Sequence, residues 1–232
     1  MTRIFAIGLF FFMTLSSAVL ADKRPVVVEL FTSQGCSSCP PADRLLRELS
    51  EEDGIIALAL HVDYWDYIGW EDKFALPQFT KRQKYYAHAM GEKMIYTPQI
   101  VVNGHSHVVG SDGQVVRALI EQYSNDEQSI ELSVKRQGAA AIITAIGLLD
   151  DLPPLDVYLV QYIDEKPVTI SRGENSGKTI TYSNIVQSWI NAGRWSGEGK
   201  LHLEAPVTED MPLVVLLQQA GFGPILAAQM LE

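Results

Sequence analysis

Apolar positions follow two different periods along the chain, and the change divides it near the middle. Val26-Val27-Val28-Glu29-Leu30-Phe31 is apolar at all but one position and runs into Gly35, as a buried strand does where it turns into a helix. Leu45, Leu46 and Leu49 then mark one face of a helix over Asp43 to Ser50. Ile55 to Val62 is continuously apolar, the pattern of a parallel strand covered on both faces. A right-handed crossover would set it beside the first strand, with both C-terminal ends at one edge. Lys73 to Gly91 has helical spacing at Phe79, Gln83, Tyr86 and Met90 and is broken by Pro77. Asn103-Gly104 lies between two apolar runs, a strong hairpin signal. Gly110-Ser111-Asp112 follows as turn and N-cap for a helix from Gly113 to Tyr123, with Val116, Leu119 and Ile120 inward. The predicted order is β-α-β-α-β-β-α.

After the polar stretch Ser124 to Gln128 the pattern becomes one of strands: Ile130–Lys135, Ala140–Leu148, Leu155–Tyr162, Lys178–Tyr182, Lys200–Glu204, Leu213–Gln219 and Ile225–Leu231. Pro153-Pro154 and Gly221-Phe222-Gly223-Pro224 are turns between them. This spacing predicts a β-sandwich-like domain over residues 127–232 behind an α/β domain over residues 22–126. Asn184 to Trp195 reads equally as strand or short helix. Arg172 to Gly177 reads as a long hairpin turn; cradling a phosphate would require a helix after it.

The first residues change the picture of location. Met1-Thr2-Arg3 is basic, Ile4 to Leu20 is apolar and uncharged, and Ser16 to Ala21 ends in small side chains. These features predict a signal peptide over residues 1–21, cleaved after Ala21, and hence a periplasmic or secreted protein with no membrane association after cleavage. An uncleaved anchor is the alternative, since the segment is near the minimum spanning length. The formal charge is −10 and there is no basic run, which argues against nucleic acid or an anionic membrane surface as a partner. The 47% apolar content is that of an ordinary globular chain.

The chemistry concentrates in the chain's only two cysteines, Cys36 and Cys39, at the first strand-to-helix handover. Ligands and reactions collect at that edge of an open α/β sheet. A helix N-terminus favours the thiolate, which is the nucleophile. Cys36 is then the outer, attacking sulfur and Cys39 the resolving one. As a mere staple, a disulfide closing so short a loop would contribute only about 2 kcal/mol. Pro40 and Pro41 leave two starts open: a helix from Cys36 would be bent by them, and one from Cys39 would hold them in its first turn. His61, at the end of the second strand, is either a group that passes a proton or binds a metal, or a hydrogen-bonded histidine. Tyr64, Trp65, Tyr67 and Trp70 form either one wall of a groove for apolar polypeptide or a packing cap.

The first half resembles the thioredoxin superfamily in its smaller, glutaredoxin-like form. The resemblance is carried by Cys36-Ser37-Ser38-Cys39 after a strand, Thr97-Pro98 before the hairpin and Asn103-Gly104 at its tip, and it covers about residues 25–124. It implies that the Thr97–Pro98 bond is cis, that Pro98 lies against the disulfide, and that Thr97 presents its backbone to substrate polypeptide. It also implies a buried acid on the cysteine-bearing strand that takes the proton of the inner thiol. Glu29 falls close to that place, if the turn before Cys36 is one residue longer; facing solvent is its alternative. Gly35 and Ser37-Ser38 depart from the usual thioredoxin residues and leave the redox direction open. The whole chain is similar to a family of secreted bacterial proteins of unknown function in which a thioredoxin-like half precedes a β-rich half.

The resulting expectation is an exported thiol–disulfide oxidoreductase without a cofactor. Its catalytic set would be Cys36, Cys39, Pro98 and Glu29, with Thr97, Tyr64 and Trp65 toward substrate. Its partners would be protein thiols or disulfides and an unidentified redox partner. Two alternatives stand beside it: a copper-binding module using Cys36, Cys39 and His61, because soft thiolates select Cu(I), and an inert thioredoxin-like scaffold that binds a partner.

Overall fold

The structure, a computed structural model, describes residues 24–231. The predicted signal peptide lies outside them. Strand β1 (Val26–Thr32) pairs in parallel with β2 (Ile55–His61), in a register that sets Thr32 beside His61. On its other edge β1 takes β3 (Gln99–Val102) antiparallel, and β3 takes β4 (Ser106–Val109). The turn between them carries Asn103 and Gly104 at positive φ, as an Asn-Gly hairpin demands. Helix α1 covers Pro40–Ser50, α2 Pro77–Ala89 and α3 Gly113–Ser124. The order of elements in this half is the one the hydrophobic pattern predicts.

The prolines decide where two helices begin. Pro77 opens α2, and Pro40 and Pro41 open α1 with Cys39 as its N-cap. A first-turn proline lacks only a donor that has no helical partner anyway. The start at Cys39 therefore holds, and Cys36 precedes the helix, joined to it by a tight turn in which the Cys39 N–H bonds the Cys36 carbonyl.

The second half consists of strands β5 (Ile130–Gln137), β6 (Ala140–Gly147), β7 (Leu155–Thr169), β8 (Thr179–Trp195), β9 (Lys200–Pro206), β10 (Leu213–Gln219) and β11 (Ile225–Leu231). All seven predicted strands are present. Asn184 to Trp195, legible two ways in the sequence, is the continuation of β8.

The sandwich expected of this half needs correcting in one respect. Its sheets are not both its own. Four of its strands extend the first sheet into a single eight-stranded sheet, ordered β11-β10-β7-β8-β2-β1-β3-β4. The join is the parallel contact of β2 with β8 at Ala59 and Ile185, locked by the Asn184 side chain donating to the Ala57 carbonyl at 2.9 Å. Asn184 sits at φ 47°, a conformation asparagine tolerates better than most residues. The separate sheet, β5-β6-β9, packs on alternate residues Leu155, Val157 and Leu159 of β7 and Leu213, Val215 and Leu217 of β10.

Strand alternation assigns the two faces of the large sheet. Val28 and Leu30 of β1 and Ala57 and Ala59 of β2 meet α1 and α3. Val27 and Phe31, with Leu58 and Leu60, meet Phe79 and Tyr86 of α2. Among the described residues no helix is long and apolar enough to cross a membrane.

Candidate functional site

Cys36 and Cys39 form a disulfide, with Cα atoms 5.4 Å apart. The strand end delivers it. After Thr32, the chain turns through Ser33 to Gly35, with the Cys36 N–H bonded to the Ser33 carbonyl. Ser37 and Ser38 point outward, and both sulfur-bearing residues are fully buried, at 0% exposure.

That burial corrects the expectation of an outer, reachable Cys36. Two segments roof the turn. From the first half, Trp65 and Ile68 press on Gly35 so closely that a Cβ there would lie 3.1 Å from the Trp65 Cβ. From the second half comes the turn joining β7 to β8. Its Asn175, 1% exposed, donates through Nδ2 to the carbonyls of Gln34 (2.9 Å) and Cys36 (2.8 Å). Lys178 donates to Asn175 Oδ1 at 2.8 Å and fixes the amide's orientation.

The Thr97–Pro98 bond is cis and Pro98 is buried. With Gln99 paired to Phe31, Pro98 falls at the end of β1 from which the cysteine turn departs. Thr97 and Trp65 meet directly: Trp65 Nε1 donates to Thr97 Oγ1 at 2.7 Å. Trp65 thus spans from Gly35, next to Cys36, to Thr97, next to the cis proline. Tyr64 donates to Gln83 Oε1 at 3.2 Å, and burial pushes its hydroxyl up to about 12. Gln83 in turn donates to the Tyr96 carbonyl. Cys36, Cys39, Pro98, Thr97, Tyr64 and Trp65 are therefore brought to one edge.

Glu29 is not among them. It occupies the α2 face of β1, opposite the face that Thr32 shows to α1, because one strand alternates its side chains. There Arg82 binds it bidentately at 2.6 and 2.9 Å, and Tyr86 donates to it at 2.7 Å. Arg82 also reaches Gln218 of β10 and lies 3.9 Å from the Trp189 ring centroid. This is a buried structural ion pair joining α2, β1 and the sheet extension, and both carboxylate oxygens are engaged.

His61 lies on the α1 face, fully buried, with Nδ1 donating to Asp72 Oδ2 at 2.7 Å. Burial alone would lower its pKa, but the Asp72 charge and hydrogen bond raise it above the ordinary value. Burial works on Asp72 in the opposite sense and is outweighed by His61 and by the backbone N–H groups of Gln34 and Phe74, so its pKa falls. His105 bonds Tyr123 and His107 bonds Tyr96, each away from the disulfide. Among the described residues no three His, Cys, Asp or Glu side chains are placed to hold a metal, so the set Cys36, Cys39 and His61 is not assembled as one.

Residues 27–218 match the family model described as "Protein of unknown function (DUF1223)". The chain belongs to this family. A protein of Agrobacterium tumefaciens known from its crystal structure is 31% identical, with a TM-score of 0.77 over 89% of this chain and 93% of that one. HBP35 of Porphyromonas gingivalis shares the fold at 16% identity, with a TM-score of 0.62 over 90% of this chain and 75% of that one. Among curated proteins none matches.

Three further residues of this DUF1223 chain belong to the site, and the sequence carries a signal for only one of them. Asp72 holds His61 and, through the Gln34 N–H, the cysteine turn. Asn175 arrives from a turn 139 residues away from Cys36. Asp43 lies one turn into α1 from Cys39, its N–H bonded to the Cys39 carbonyl at 3.0 Å. For Asp43 a signal did exist: a carboxylate four residues beyond Cys39 shares its helical face.

Proposed function

We propose that the protein is a thiol–disulfide oxidoreductase of thioredoxin-like design, working on protein substrates in an exported, oxidising compartment. One observation carries the reading. A Cys-X-X-Cys disulfide at the start of α1 lies at the same sheet edge as a cis X-Pro bond, with one tryptophan touching the segments of both. A structural staple needs neither neighbour. The element order and the strand order β2-β1-β3-β4 support the thioredoxin-like assignment.

In this reading a substrate thiolate attacks Cys36 Sγ, the Cys36–Cys39 bond breaks, and Cys39 leaves with the electron pair. A second substrate thiol then displaces Cys36, leaving a substrate disulfide and the reduced pair; the reverse sequence reduces substrate. Thr97 and Trp65 receive the polypeptide beside Cys36. Because both sulfurs are buried, the Asn175 turn must move aside before a substrate enters.

The test is trapping. A Cys39→Ser chain, expressed with its own leader, should accumulate mixed disulfides through Cys36 that dithiothreitol dissolves and that a Cys36→Ser, Cys39→Ser double variant lacks. Absence of such adducts would overturn the reading.

A further inference from the structure

Beneath the disulfide lies a buried polar cluster that thiol exchange as described does not use. Thr32 of β1 donates to Asp43 Oδ1 at 2.7 Å. His61, beside Thr32 in the parallel register, holds Asp72 and sits against Tyr182 of β8, ring centroids 4.9 Å apart. Asp43 is 3% exposed, His61 0% and Tyr182 1%. Three polar atoms of this cluster have no hydrogen-bond partner among the described residues: Asp43 Oδ2, His61 Nε2 and the Tyr182 hydroxyl. Buried polar atoms are paired as a rule, and each exception asks for an explanation. Three in one cluster, one turn from a redox-active sulfur, ask for a common one.

We propose that Asp43 exchanges the proton of the Cys39 thiol, with Thr32 orienting its carboxyl and the His61–Asp72 pair setting the charge beside it. The assignment rests on the oxidoreductase reading and adds to it the group that moves the proton. The strand acid expected for this task, Glu29, is turned to the other sheet face and tied to Arg82. Asp43 has one carboxylate oxygen without a hydrogen-bond partner among the described residues and is buried, as is Cys39, the N-cap of α1 four residues before it, whose carbonyl accepts from the Asp43 N–H.

The charges around Asp43 favour a carboxyl that can go either way near neutral pH. Burial pushes it up to about 7; the His61 charge, the Thr32 hydrogen bond and Arg44 act against burial, and Asp72 acts with it. Tyr182 stays protonated, its pKa raised by burial and by both acids. An acid poised at the working pH is the most effective proton carrier.

With a mixed disulfide on Cys36, the Asp43 carboxylate takes the Cys39 proton. The Cys39 thiolate attacks Cys36 Sγ, the Cys36–substrate S–S bond breaks and the Cys36–Cys39 bond forms. The substrate sulfur leaves as thiolate with the electron pair. In reverse, the Asp43 carboxyl returns the proton to Cys39 as it departs. Substrate disulfide is the oxidant, and no other co-reactant enters.

The experiment uses the reduced full-length mature chain and oxidised glutathione as the probe, with acid-quenched samples resolved by intact mass. The wild-type chain should pass through a Cys36–glutathione adduct and close it, with a closure rate inflecting near pH 7. Asp43→Asn should leave adduct formation close to wild type and slow closure about a hundredfold, removing the inflection. Thr32→Val, which removes the hydroxyl lowering the Asp43 pKa, should move the inflection to higher pH, and it serves if Asp43→Asn does not fold. Wild-type closure rate and pH profile in Asp43→Asn, or an unmoved inflection in Thr32→Val, would overturn the Asp43 assignment. A wild-type chain that forms neither adduct nor disulfide would instead overturn the oxidoreductase reading.

Discussion

Asn175 Nδ2 donates to the Cys36 carbonyl at 2.8 Å although 139 residues separate them, and the same nitrogen holds the Gln34 carbonyl. A turn of the second half thus clamps the backbone of the proposed redox site. The clamp has two bonds to one nitrogen, with Lys178 holding the amide oxygen. Asn175→Ala removes both, at about 1 kcal/mol each. Reduction of the Cys36–Cys39 disulfide by dithiothreitol should then quicken about tenfold, as measured by quenched alkylation. An unchanged rate would mean that the turn does not limit access.

Glu29 and Arg82 make a separate prediction. Their pair is enclosed, and Arg82 remains charged when its partner is removed. Breaking a buried pair from one side costs about 3–5 kcal/mol. Glu29→Gln should lose stability on that scale in urea denaturation. At a pH and temperature where it is folded, its adduct-closure profile should follow wild type. A lost inflection in this variant would return the proton to Glu29.

How far these features were legible depends on the distance over which each is encoded. The strands and helices of the first half are written locally, in apolar period, an Asn-Gly pair and first-turn prolines, and they stand where the pattern put them. Cys36 and Cys39 were legible because their spacing is itself a motif, and Pro98 only through the family resemblance that Thr97-Pro98 helps to carry. The β2–β8 join was not. It is a single parallel register contact between segments over a hundred residues apart, marked only by one asparagine at positive φ. Glu29 was misplaced for a related reason: alternation says that it faces away from Thr32, but only packing says that α1 covers the Thr32 side. Asn175 looked like any turn residue. Its task depends on how far the β7–β8 hairpin extends beyond the sheet, and β7 runs to Thr169 where the pattern had ended it at Tyr162.

Gly104 tests the joining of the two halves at a point away from the cysteines. It sits at φ 65°, and a Cβ there would lie 2.8 Å from the Gly223 carbonyl in the turn between β10 and β11. The next hydrogen bond locks the same contact, the Ile225 N–H to the Asn103 carbonyl at 2.8 Å. Backbone cannot yield as a side-chain tip can, so Gly104→Ala combines strain with a forced separation. A loss of about 1–3 kcal/mol in chemical denaturation is expected, with the dithiothreitol reduction rate unaltered. Full stability in this variant would show that the hairpin tip and the β10–β11 turn are not tightly joined.

The pH dependence of stability separates Asp43 from its neighbours. Its folded pKa is raised, to about 7 from an ordinary 3.8, so between those values the native state holds more proton than the unfolded chain. Unfolding free energy then falls as pH rises through that window and levels off above it. His61, also raised, stabilises fully below its unfolded value of 6.5, and that contribution is lost as pH rises through its folded pKa. Asp72, lowered, contributes above 3.8 and loses that contribution as pH falls through its folded pKa. The three effects overlap in the wild type, and subtraction leaves the Asp43 contribution together with its coupling to His61. The stability of wild type minus that of Asp43→Asn, both with the disulfide closed, should decline from pH 4 through pH 7 and flatten about one pH unit above the folded pKa. Urea midpoints at four pH values suffice. A flat difference throughout would mean that the Asp43 carboxyl titrates as an exposed acid does, and would take from it the poise that proton exchange with Cys39 requires.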